Sequence, residues 1–243
     1  MATPIAYDIG MNNGDNCEYY LKKGYRVIGV EANPFLCEQA NKRFEKEVRS
    51  GRLTILNLGV GPQSERLIFY IHKLNSVLST FSPEQVLRVD AELRSGSGDT
   101  WLPIEVDVRR LSDIVRFFGV PGYVKIDVEG FDVITLKDLH ENKIYPDYIS
   151  AEAFEVDTFC LLVTMGYTEF KLVNGADVNL VYADHEIGLL EGGATRHNFP
   201  AHSAGPFGED IPGPWLDKVE ILGVWQQHGG GWCDIHARIA RSR

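Results

Sequence analysis

Short apolar runs, each followed by a turn and an amphipathic stretch, recur along the first two thirds of the chain. Residues 5–9 and 26–31 open the series, and 53–60, 123–128, 148–153 and 167–173 continue it. Runs of this length, rich in Val, Ile and aromatic residues, predict strands. Residues 15–23, 35–48, 111–118, 131–142 and 156–165 instead carry apolar positions three and four apart, which predicts helices. The punctuation agrees. Gly24, Gly119 and Gly166 each stand just past a helix, and Pro34 opens one in its first turn, where no partner for its nitrogen is needed. This alternation implies an α/β fold, a doubly wound, mostly parallel sheet with helices on both faces. Residues 67–73 and 104–108 read as β-rich and fit an antiparallel hairpin or edge, with a flexible turn at 95–99 between them.

The last third breaks the pattern. Residues 188–214 hold many Gly and Pro and few apolar positions, which reads as an irregular loop or lid inserted in a single domain spanning 1–243. His197 and His202 lie in it and read as solvated loop histidines. Residues 215–227 look helical, 229–231 mark a glycine turn, and 232–239 fit a final strand.

Composition narrows the function. The chain has 243 residues and a formal net charge of -10, with a sequence pI near 5.2. Proteins that depend on phosphate contacts usually show a basic face, so nucleic acid is not the expected partner. There is no run of about 18 apolar residues to span a bilayer and no basic-then-apolar leader, so no membrane partner is expected and the cytoplasm is the expected compartment. Four scattered cysteines lack metal-ligand spacing. Oligomeric state is not legible.

The chemistry begins with residues 5–15, Ile-Ala-Tyr-Asp-Ile-Gly-Met-Asn-Asn-Gly-Asp, and 26–34, Arg-Val-Ile-Gly-Val-Glu-Ala-Asn-Pro. Strand, glycine turn, helix, second strand and terminal acid is how a doubly wound sheet holds an adenosine. Gly10 and Gly14 let the backbone approach a ligand, and Glu31 is placed to accept hydrogen bonds from both ribose hydroxyls. A dinucleotide loop needs a third glycine for its pyrophosphate, and Asp8 and Asp15 would repel one. A ligand bearing an ammonium and a sulfonium, S-adenosylmethionine, suits this turn better.

These motifs resemble the FkbM family of S-adenosylmethionine-dependent methyltransferases. The matching residues are Asp8, Gly10, Asn12, Gly14 and Asp15, then Glu31-Ala32-Asn33-Pro34, then Asn57-Leu-Gly-Val-Gly61, then Lys125-Ile-Asp127-Val-Glu129-Gly130. Met11 stands where the family has a small residue and Asn13 where it has an apolar one. The resemblance covers about residues 5–155 and implies a class I methyltransferase, Rossmann-like sheet.

Ligands of open α/β sheets bind beyond the carboxyl ends of the strands. Asp8, Glu31, Asp127 and Glu152 all fall there. Asp8, Gly10, Asn12, Gly14, Asp15, Glu31, Ala32 and Asn33 are therefore the expected cofactor residues. Period-two alternation puts Lys125, Asp127 and Glu129 on one side of their strand, where the acceptor is expected. Asp127 or Glu129 would take the acceptor's proton, Glu152 would orient it, and Ser79 and Lys125 would touch it. Ser79 and Thr80 fit equally well as caps of the helix starting near Pro83. Alternatively, Asp127 and Glu152 hold a divalent metal, Mg²⁺ or Ca²⁺ by their oxygen ligands. The activity that the resemblance implies is O-methylation of a sugar, glycan or secondary metabolite, with a small-molecule or glycan acceptor. The alternatives are a nicotinamide-dependent oxidoreductase, which lacks its third glycine here, and a non-catalytic nucleotide-binding module.

Overall fold

The computed structural model describes residues 3–93, 100–128, 130–153, 156–227 and 231–240. The expected turn at 95–99, Glu129, and Gly229 and Gly230 of the expected glycine turn lie outside these.

The chain runs β1 (Ile5–Ile9), α1 (Asp15–Lys23), β2 (Arg26–Glu31), α2 (Pro34–Arg43), α3 (Glu45–Arg49), β3 (Leu53–Asn57), β4 (Gly59–Val60), β5 (Glu65–His72), α4 (Pro83–Leu93) and β6 (Trp101–Arg109). It continues with α5 (Leu111–Phe118), β7 (Tyr123–Ile126), α6 (Asp132–Glu141), β8 (Tyr148–Glu152), α7 (Val156–Thr164), β9 (Glu169–Asn174), α8 (Val178–Val181), β10 (His185–Gly188), β11 (Ala194–His197), α9 (Glu220–Gln227) and β12 (Cys233–Arg238). Seven strands form the main sheet in the order β3-β2-β1-β7-β8-β12-β9. The pairs from β3 to β8 are parallel, and β12 enters antiparallel between β8 and β9. The doubly wound, mostly parallel α/β sheet is as the strand pattern implies.

Alternation along β1 shows how the layers are made. Ile5, Tyr7 and Ile9 join one core with Leu111 and Ile114 of α5, Leu136 and Leu139 of α6, Phe159 of α7 and Ile221 of α9. Ala6 faces the other core, with Tyr19 and Tyr20 of α1 and Ala40 of α2. Both faces of the strand are thus buried, as a parallel sheet requires.

Several boundaries differ from expectation. The helix expected over 35–48 breaks at Phe44, which is buried (φ -109°) between α2 and α3. The strand expected over 53–60 splits at Leu58. Asn57 turns its amide to the Glu31 and Ala32 carbonyls (3.0 and 3.1 Å), and β4 leaves for a second sheet, order β4-β6-β5. There β5 and β6 form the expected antiparallel pair. β7 ends at Ile126, so Asp127 lies past the strand. Of residues 215–227 only Glu220–Gln227 is helical, because Leu216 pairs its backbone with Phe170 and Asp217 caps α9.

Residues 188–214 form a layer more than a free loop. Their start completes the β10–β11 hairpin, which begins at His185, and Phe199, Phe207 and Ile211 are buried beyond it. Phe207 stacks on Tyr123 of β7 (centroids 3.7 Å, planes 3° apart). Asp210 takes a hydrogen bond from Tyr19 (2.6 Å) and an ion pair from Lys23 (2.5 Å), both on α1. The segment covers the sheet face that a helix would otherwise cover. His197, expected in solvent, is buried and stacked against Tyr19 (5.5 Å). The sequence hides this because a few well-spaced aromatics anchor a segment without periodicity.

Candidate active site

A cavity of about 570 Å³ opens over the carboxyl ends of β1, β2, β7 and β8. The β1–α1 turn forms one side. Gly10 has φ +81°, and a Cβ there would sit 1.7 Å from the Asp127 carbonyl oxygen, so only glycine fits. Gly29, under the same turn, makes room for Met11: a Cβ on it would meet the Met11 sulfur at 2.4 Å. The bulky Met11 is thereby buried without displacing the turn.

Glu31 is nearly buried at the end of β2. Its carboxylate accepts the Asn12 backbone N–H (2.8 Å) and the Asn33 backbone N–H (2.7 Å). A carboxylate has about four acceptor sites, so acceptor capacity remains for the cavity that Glu31 lines. Burial raises its pKa, against the two N–H bonds that stabilise the anion. Asn12 reaches Glu31 by taking a left-handed conformation (φ 51°). Asn12, Asp15, Ala32 and Gly10 line the cavity with Glu31. Asp15 is engaged by Arg43 (2.6 Å) and by the Asn13 amide (2.7 Å).

Asp8, Gly14 and Asn33 are not on the cavity wall. Asp8 is fully buried beneath the turn, where the Cys17 thiol donates to it (3.2 Å) and Lys125 lies 3.5 Å away. Burial raises its pKa, partly offset by Lys125. Gly14 is the N-cap of α1 (φ 84°) and packs against the Phe44 ring. Asn33 caps α2, its side chain accepting from the Phe35 N–H (3.0 Å). These three shape the turn from behind.

Lys125 crosses the floor. Its ammonium donates to the Gly10 carbonyl (2.9 Å) and pairs with Asp127 (3.0 Å). Burial alone would lower its pKa, and the Asp127 and Asp8 carboxylates outweigh that, holding it well above the usual lysine range. Lys125, Asp127 and Glu152 all reach the cavity, Lys125 from within β7 and Asp127 from just past its end. Glu129 lies outside the described residues. Ser79 lines the cavity, with its hydroxyl oxygen accepting the His72 N–H (3.1 Å). The α4 cap is Ser82, which accepts the Gln85 N–H (3.1 Å), so Ser79 is free of that task. Among the described residues, no group of three or more His, Cys, Asp or Glu is placed to hold a metal ion.

Two walls were not legible in the sequence. One is the second sheet with α4, which brings Phe69, Phe81, Gln85 and Arg88 to the cavity. The other is Trp232 with His202, rings 6.1 Å apart and 20° from parallel. Neither belongs to a motif.

The family described as "Methyltransferase FkbM domain" matches residues 8–158. No curated protein matches the chain by sequence. Among solved structures, it is similar to precorrin-6y C5,15-methyltransferase from Geobacter metallireducens GS-15, at 13% identity and TM-score 0.42, covering 98% of this chain and 80% of that one. It is also similar to a SAM-dependent O-methyltransferase from Thermotoga maritima, at 8% identity and TM-score 0.42, covering 99% of this chain and 61% of that one. A putative tRNA (m1A22) methyltransferase from Streptococcus pneumoniae is similar at 9% identity and TM-score 0.38, covering 99% and 66%.

Proposed function

Since the chain belongs to the FkbM methyltransferase family and is an S-adenosylmethionine-dependent methyltransferase, we propose that it methylates a hydroxyl of a small-molecule or glycan acceptor. The observation that carries the cofactor half of this reading is Glu31, a carboxylate held by two backbone N–H groups and lining the cavity. That is the chemistry a ribose diol needs, and the carboxylate is oriented before any ligand arrives. S-adenosylmethionine supplies a methyl group made electrophilic by the attached sulfonium.

The rest falls to this chain's residues. The β1–α1 turn brings backbone close to the ligand through Gly10. Asp127 and Glu152, at the ends of β7 and β8, receive the acceptor hydroxyl and hold its oxygen in line with the methyl. Asp127 is half of an ion pair with Lys125, so it serves better as a fixed hydrogen-bond acceptor than as a strong base. Gln85 and Ser79 line the acceptor side. Methylation of oxygen, cytoplasmic location and an acceptor other than nucleic acid are part of the proposal. Among the described residues no helix is long and apolar enough to cross a membrane.

Thermal unfolding with S-adenosylhomocysteine or NAD tests the first half. S-adenosylhomocysteine at about 100 times its Kd is expected to add ~2.7 kcal/mol of stability, and NAD nothing. Stabilisation by NAD alone would favour an oxidoreductase. The second half is tested by methyl transfer to methyl glycosides of common hexoses and to hydroxylated phenols. Turnover lost in EDTA and restored by Mg²⁺ would assign Asp127 and Glu152 to a metal instead.

A further inference from the structure

The hydroxyl proton must leave as the methyl arrives, and Asp127 is already committed to Lys125. We propose that the His202 imidazole is the proton acceptor for methyl transfer. The inference rests on the hydroxyl-methylation reading above.

Four observations converge on His202. It lines the same cavity as Asp127 and Glu152 while remaining exposed to solvent, so a proton can both reach it and leave it. Its backbone is left-handed (φ 66°), one of four non-glycine residues with positive φ among those described. Such a conformation costs free energy in most residues and persists where the surroundings enforce it, often at functional sites. The surroundings here do enforce it. The Ala204 N–H donates to Asn16 in the first turn of α1 (3.0 Å), and the Ser203 hydroxyl donates to the Pro200 carbonyl (2.8 Å). The imidazole also lies over Trp232, which is itself fixed: the Gly175 N–H donates to its carbonyl (3.1 Å), and its ring sits where a Gly175 Cβ would be, at 2.4 Å.

The anchors also place the ring. Asn16 follows the turn that carries Gly10. Cys233, next to Trp232, accepts the Ala153 N–H just past Glu152 (2.9 Å). The segment carrying His202 is thereby tied to α1 just after the cofactor turn, and the Trp232 beneath its ring precedes the strand paired with β8, so the ring shares its cavity with Asp127 and Glu152. In the step, the acceptor oxygen forms a bond to the methyl carbon. The carbon–sulfur bond breaks with its electron pair going to sulfur, leaving neutral S-adenosylhomocysteine. The hydroxyl proton passes to a ring nitrogen of His202, and the imidazolium then releases it to solvent.

The test uses His202→Gly and His202→Asn, two residues that accept a left-handed backbone. Turnover is measured as S-adenosylhomocysteine formation on the methyl glycosides and phenols named above, and S-adenosylhomocysteine affinity by calorimetry. Both variants are expected to bind S-adenosylhomocysteine within about twofold of the parent and to turn over ~10²-fold or more slowly, the size of a lost general base. Added imidazole should restore part of the rate in His202→Gly. Parent-like turnover in either variant overturns the proposal, as does a loss in His202→Gly that imidazole leaves unchanged. If the parent binds S-adenosylhomocysteine but methylates no hydroxyl, the reading beneath the proposal falls, and the proposal with it.

Discussion

Single residues divide into those that line the cavity and those that hold the turn behind it. Glu31→Ala removes a carboxylate from a place where its hydrogen bonds are prearranged. It is expected to weaken S-adenosylhomocysteine binding by about 1.5–3 kcal/mol, the range for a hydrogen bond to a charged group, as calorimetry would show. Unchanged affinity would move the ribose elsewhere. Asp127→Asn keeps shape and removes charge. It is expected to leave binding intact and lower turnover by ~10²-fold, since the hydroxyl loses its anionic partner. Near-parent rates would take Asp127 out of the site. The position of Glu31 on the cavity was legible because an acid ending a second apolar strand, one helix after a glycine turn, falls at the carboxyl edge of the sheet. Asp8 was half legible: spacing put it at the turn, but only the sheet shows it buried under Lys125. His202 and Trp232 were illegible, since contact between a loop and a residue before a distant strand leaves no local pattern.

At the scale of elements, every strand of the main sheet was foreshadowed by an apolar run, and strand order by none of them. Periodicity reports burial, which β12 has whether it lies at an edge or between β8 and β9. The break after β3 was hidden because residues 53–60 are uniformly strand-like, and the change of sheet is made by the Asn57 side chain. The layer at 188–214 misled most, because composition measures apolar residues and not where they land. Phe207 carries much of that layer, stacked on Tyr123 and edge-on to Tyr20 and Tyr25. Phe207→Ala is expected to cost ~3–5 kcal/mol in denaturant unfolding, the usual loss for a buried phenylalanine. A loss below about 1 kcal/mol would restore the picture of an idle insertion.

Across the whole molecule, charge is the feature that folding had to manage. Three acids act on the buried Lys125: Asp8 and Asp127 lie in contact with it, and the charge of Asp234 reaches it; Asp132 in turn acts on Asp127, and Glu152 lies opposite Asp234 in the β12–β8 register. Asp234 is pushed up to about 8 by burial and then by the charge of Asp127, with Lys125 partly offsetting both. Asp132 is raised to about 6 by the same two causes. The native state thus keeps protons that the unfolded chain releases near pH 4. Stability from Asp234 is full below that value and is lost as pH rises through about 8. Asp234→Asn cannot ionise, so it is expected to raise Tm relative to the parent at pH 9 and to lose that advantage by pH 4. An equal difference at both pH values would mean that Asp234 is not protonated in the native protein.

The position of β12 has one more consequence, in time. On the ribosome, β8 and β9 emerge well before the strand that must lie between them. Until residues 233–238 leave the exit tunnel, neither strand has β12 beside it, and the hydrogen-bonding edge that each turns to β12 stays open. Parallel neighbours up to β8 can assemble early, but closure of this side waits for a late, distant segment. The nascent chain is therefore most exposed to mispairing in the interval between β9 and β12, and that is where a holding chaperone would have the most to cover.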